Sequence, residues 1–265
     1  MRSPAFPIAA TALAIAVTTT MDANGLTEFS AFPLLALTLV FWGITRLPLA
    51  CVGLMWGKWA DYGLALFYPL AVLAIAAAIA VAAGAAHLAA VDARTLLKIL
   101  VVAVAGAPAA LLTEEGFFRG WLWGSLRSAN ATPMMTLLVT SIVFAAWHIS
   151  YATLAHGFQL PPMQVLIFIA NAAVIGAIWG LMRLRSGSIV VTSVSHGLWN
   201  AIAYLLFGEG PKIGALGVAN TATFGPEVGV VGLALNVAFA CGLFCFTMRS
   251  QSANDSRQHL GRRTT

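Results

Sequence analysis

Long apolar runs, broken by short polar intervals, tile nearly the whole chain. A bilayer-spanning helix needs about 20 mostly apolar residues. By that measure the pattern predicts eight spans, at about 4–20, 29–45, 62–85, 97 through an acidic group at 114–119, 133–149, 162–182, 189–207 and 228–248. The Trp-bearing stretch from Arg46 to Lys58 is apolar but too short to cross, and reads as an interfacial or re-entrant segment. The longest late loop, 208–226, contains Gly and Pro. The expected fold is therefore all-α, a polytopic helical bundle. It divides into N-terminal spans (1–96), a motif-bearing core (97–207), a last loop and span (208–249) and a basic, disordered tail (250–265).

Composition strengthens this reading. The chain is 60% hydrophobic and only 9% charged, against about 25% charged in soluble domains. The net charge of +5 has no clustered patch of the kind that binds nucleic acid. The short basic tail suits lipid headgroups instead, so the expected partners include the bilayer and no nucleic acid. Cys51, Cys241 and Cys245 form neither a disulfide nor a zinc framework by their spacing, and are expected as apolar filler.

Charge also orients the spans. With the N-terminus in the cytoplasm, Arg2, Arg46, Lys58, Arg119, Arg127, Arg183, Arg185, Arg249, Arg257, Arg262 and Arg263 all fall on that side. Only Arg94, Lys98 and Lys212 fall on the other, with Asp22, Glu28, Glu209 and Glu227. This satisfies the positive-inside rule and puts both termini in the cytoplasm. The first apolar run could alternatively serve as a signal peptide. The residues after it, Thr18-Thr19-Thr20-Met21-Asp22, make a poor cleavage site, and its removal would leave the remaining orientation unchanged.

Three polar islands interrupt the apolar helices. Glu114-Glu115-Gly116-Phe117-Phe118-Arg119 lies in the fourth span, Phe144 to His148 in the fifth, and His196 to Asn200 in the seventh. The second island sits in a stretch, Ser128 to Met182, that holds no Asp, Glu, Lys or Arg. Charge within a span costs roughly 2.5–3.5 kcal/mol per residue, so such groups need a reason. Residues four apart share a helix face, which pairs Glu115 with Arg119 and His196 with Asn200. Glu114 is turned about 100° from Glu115 and is free to face another partner. Taken singly, each island has an ordinary explanation. A core histidine finds a hydrogen bond, paired glutamates sit at an interface, and a His–Asn pair joins helices. Together they supply a base, two imidazoles and an amide on three helices, which is a candidate site. His87, His156 and His259 lie near span ends or in the tail and stay outside it.

The order Glu-Glu-x-x-x-Arg, Phe-x-x-x-His, His-x-x-x-Asn resembles the CAAX-protease and bacteriocin-processing family of membrane endopeptidases, also called the abortive-infection family. The resemblance covers about Leu97 to Phe207, includes Ser188-Ile189-Val190-Val191 before the last motif, and shows no departure at a motif position. It implies an intramembrane endopeptidase whose cavity is reached from the cytoplasm or laterally from lipid. On this resemblance Glu114 is the general base on a water, His148 holds that water, and His196 and Asn200 stabilise the oxyanion, while Glu115 and Arg119 support the helix. It implies a peptide or lipidated protein as substrate and leaves the choice open, since eukaryotic relatives trim prenylated termini and prokaryotic ones act on varied peptides. Glu114, His148 and His196 could offer three ligands to zinc with one open position. The His-Glu-x-x-His signature is absent, and a metal-free glutamate mechanism is the alternative. Two other readings compete, a non-catalytic immunity or binding protein of the same fold and a proton-coupled transporter. The repeated halves common in transporters are not visible.

Overall fold

A computed structural model describes residues 5–88, 91–158, 160–209 and 212–261. The chain is an all-α integral membrane protein, and eight of the described helices are long and apolar enough to cross a bilayer. We label them α1 (Ala5–Ala23), α2 (Phe32–Thr45), α3 (Trp59–Ala82), α4 (Ala93–Ser128), α5 (Pro133–Leu154), α6 (Pro162–Ser186), α7 (Ile189–Phe207) and α8 (Val230–Gly261). Strand structure among the described residues is one two-residue antiparallel pair, β1 (Gly208–Glu209) with β2 (Lys212–Ile213).

Local chemistry sets the helix starts. Asp92 caps α4 by accepting the Thr95 amide at 2.8 Å. Those Thr95 bonds hold its carboxyl below the usual carboxylate range. Thr132 caps α5 through the Met135 amide, and Ser188 caps α7 through Val190 and Val191. These bonds satisfy amides that have no partner inside the helix.

The core is aromatic. Trp121, Trp179, Trp199, Tyr68, Phe117 and Phe118 are fully buried. The central helix α7 packs on α3, α4 and α6. Gly106 on α4 and Gly197 on α7 bring those two backbones together, and a Cβ on Gly197 would lie 2.4 Å from the Ala107 amide nitrogen. Such small-residue crossings drive helix association where lipid offers no hydrophobic gain.

The two ends of the bundle differ in chemistry. At one end Arg183 donates to the carbonyls of Arg119 and Cys51 at 3.1 and 3.0 Å, and Arg185 pairs with Asp61 at 3.7 Å. The segment 46–58 closes this end with a single turn at Leu49–Val52 and the exposed Trp56. Ser188 donates its hydroxyl to the Met55 carbonyl there. At the other end Ser150 donates to Asp22 at 2.7 Å and Tyr151 to Glu209 at 2.6 Å.

Several expectations change. Arg119 is fully buried, so it is part of the interior rather than one of the loop charges that orient the chain. The three cysteines are free and exposed on the chain. Cys241 and Cys245 point away from the bundle, where lipid makes an apolar side chain as acceptable as a protein interior does. Residues 250–261 continue α8 where an irregular tail was expected, since no Pro interrupts the helix there. Arg2, Arg262 and Arg263, counted in the charge bias, lie outside the described residues.

Candidate active site

The acidic island does not sit on a regular α-helix. From Glu115 to Leu122 the backbone of α4 widens into π-helical turns. Such turns are rare and concentrate at functional positions. Gly116 permits the widening, because a Cβ there would stand 2.6 Å from the Leu111 carbonyl oxygen.

The two glutamates are separated as their order suggests. Glu115 is fully buried and its Oε1 meets Arg119 Nη1 and His196 Nδ1, each at 3.1 Å. Arg119 donates to the Gly176 carbonyl at 3.1 Å, and its guanidinium lies 4.1 Å from the centre of the Phe144 ring. This cation–π contact joins the first motif to the second. Glu114 faces the other way. Its Oε2 lies 3.8 Å from His196 Nε2, is buried, and has no hydrogen-bond partner.

His196 is held on three sides. Its ring stacks on Trp179 with centroids 4.0 Å apart and planes at 16°, and Trp179 in turn donates to Ser195 at 3.3 Å. A carboxylate is acceptor-only, so Nδ1 carries the hydrogen shared with Glu115 and Nε2 is directed toward Glu114. His148 bonds the Phe144 carbonyl through Nδ1 at 2.8 Å.

Glu114, Phe144, His148, His196 and Asn200 line one cavity of about 190 Å³. Glu115 and Arg119 stand behind that wall. The cavity thus collects one residue or pair from each island.

Three further carboxylates line the cavity that spacing alone did not select: Asp22, Glu209 and Glu227. Glu227 comes from the loop before α8. It accepts the Trp199 indole N–H at 2.8 Å. Asn171 fixes its backbone by donating to the Pro226 and Glu227 carbonyls, and Asn236 and Tyr68 extend this buried chain. Burial pushes the Glu227 carboxyl up to about 7, against the opposing Trp199 bond. Asn171, an amide inside the charge-free stretch, was the one sequence signal of this loop's attachment.

The Nδ1 atoms of His196 and His148 are engaged by Glu115 and the Phe144 carbonyl, which leaves each Nε2 as the potential ligand atom, as in metal-bound histidines. The groups as placed are nonetheless too far apart to hold zinc. Among the described residues no three His, Cys, Asp or Glu side chains gather closely enough to hold a metal ion.

The fold is that of a polytopic membrane protein, and its cavity carries a buried carboxylate–imidazole cluster. Residues 92–202 match the family described as Rce1-like, type II CAAX prenyl endopeptidase, and this match supports the resemblance of that core to the CAAX-protease and bacteriocin-processing family. The matched stretch contains all six candidate residues. No curated protein matches the chain.

Proposed function

We propose that this protein is an intramembrane endopeptidase that uses Glu114 to activate water without a metal. The observation that carries this reading is the convergence of Glu114, His148, His196 and Asn200, from three helices, on one cavity. Glu114 has an unpartnered buried oxygen, as a base awaiting water would. In the first step Glu114 takes a proton from a water held by His148, and the hydroxide forms a bond to the peptide carbonyl carbon. The carbonyl oxygen becomes an oxyanion facing the Asn200 amide and His196. Because Nδ1–H is committed to Glu115, His196 donates from Nε2 only as imidazolium. Collapse of the intermediate breaks the C–N bond, and the proton on Glu114 passes to the leaving amine.

Positioned acid–base groups contribute about 10²–10⁴-fold, and an oxyanion donor about 10²–10³-fold. Glu114→Gln should therefore lower cleavage by about 10³-fold and Asn200→Ala by about 10²-fold, with both proteins folded. The substrate should be a peptide or a lipidated protein at the membrane. Comparing membrane peptides in cells expressing wild type or Glu114→Gln would identify it. Unchanged cleavage in Glu114→Gln refutes the mechanism, and stoichiometric metal required for activity refutes its metal-free form.

A further inference from the structure

The side from which the cavity is reached follows from which helix ends line it. Below Glu114 and His196 its walls come from Asp22 at the end of α1, Thr27 and Ala31 in the α1–α2 turn, Tyr151 near the end of α5, and Glu209 and Glu227 flanking the α7–α8 loop. In an eight-span chain these ends share one face. The basic residues Arg46, Lys58, Arg127, Arg183, Arg185 and Arg249 lie at the opposite helix ends. The positive-inside rule assigns that basic face to the cytoplasm, even with buried Arg119 left out. The family resemblance implied access from the cytoplasm or from lipid, and the lining points to the other side.

The chemistry of the mouth narrows what could enter. Asp22, Glu114, Glu209 and Glu227 line the cavity, and among the described residues no Lys or Arg does. Asp22 and Glu209 are bonded by the neutral hydroxyls of Ser150 and Tyr151. Asp22 is only 3% exposed and its Oδ1 is buried with no partner. Lys212 stands opposite Glu209 in the β1–β2 pair and is exposed, so the carboxylates of Asp22, Glu114 and Glu209 outnumber the cations near this partly enclosed cleft, and such an excess focuses a negative potential. A negatively charged segment, including a free C-terminal carboxylate, would be repelled there.

We propose that the cavity receives its substrate from the extracytoplasmic face and that Asp22 and Glu209 select a polypeptide segment carrying a positively charged side chain. This rests on the peptidase reading above and names the substrate class for that site.

The test has two parts. In protein with Cys51, Cys241 and Cys245 replaced by Ser, single cysteines are placed at Thr27, Ala31 and Lys58. A membrane-impermeant maleimide applied to intact cells should label Thr27→Cys or Ala31→Cys, and should label Lys58→Cys only after permeabilisation. Failure of both mouth positions to react from outside overturns the assignment of face. Binding is then measured on purified Glu114→Gln protein with short fluorescent alanine–leucine peptides carrying one central Lys, norleucine or Glu. The Lys peptide should bind roughly tenfold more tightly than the norleucine peptide, and Asp22→Asn with Glu209→Gln should erase the difference. Equal binding, no binding or preference for Glu overturns the charge selection. Because this protein cannot use Glu114, charge-selective binding of a peptide that wild type never cleaves would sink the peptidase reading alone.

Discussion

An arginine buried in a membrane bundle survives only if its charge and its donors are met. Arg119 meets Glu115, the Gly176 carbonyl and the Phe144 face. Removing one partner of such a pair strands the other and costs about 3–5 kcal/mol, whereas replacing both by neutral groups can be nearly free. Arg119→Met should therefore lower thermal stability in detergent sharply, and Glu115→Gln with Arg119→Met should recover most of the loss. The double variant should stay inactive, because His196 then faces a neutral amide in place of the carboxylate that supports its imidazolium. Glu227 gives a pH signature of its own. A glutamate titrates near 4.5 in the unfolded chain and this one near 7 in the fold. Between those values the folded protein holds a proton that the unfolded chain has released. Stability is thus fullest below pH 4.5 and falls as pH rises to 7, by about 3 kcal/mol. Melting temperatures across this range should fall in wild type and flatten in Glu227→Gln; the same slope in both would assign the effect elsewhere.

Helix elements place these groups, and the sequence shows some of that placement better than the rest. The eight spans are legible because apolar length is what a bilayer demands. The Glu115–Arg119 pair is legible because it survives the local widening of α4. The π-helical turns themselves are not, since apolar periodicity assumes regular α-geometry. Nor were Asp22, Glu209 and Glu227 legible as cavity residues. In sequence they are charges near span ends, and only the packing of α1, α5 and the α7–α8 loop brings them to one wall. At this scale the α4–α7 crossing is the sensitive contact, since it fixes Glu114 against His196. Gly197→Ala drives a methyl group into the Ala107 backbone, and overpacking of this kind costs about 1–3 kcal/mol. It should lower both melting temperature and activity. Gly63→Ala, on α3 with open space around it, should leave both unchanged, and an equal loss in the two would remove the special status of the crossing.

For the whole molecule, α1 is the informative piece, because its loss separates topology from assembly. Phe6 sets its ring edge against Phe41 and Trp121 at 5.9 and 6.2 Å, Ala14 is fully buried, and Asp22 bonds Ser150 on α5. The helix is thus one wall of the bundle and carries one carboxylate of the cavity. The charges that orient the other spans, from Arg46 to Arg249, lie outside it. A chain lacking residues 1–23 should insert α2–α8 in the same orientation, with a C-terminal reporter on the same side as in wild type. It should nonetheless melt earlier and lose peptide binding, since Ser150 and the aromatic face around Trp121 would turn toward lipid. A reversed reporter would show that α1 sets the topology. Unaltered stability and binding would show that α1 is peripheral to the site, and with it the contribution of Asp22.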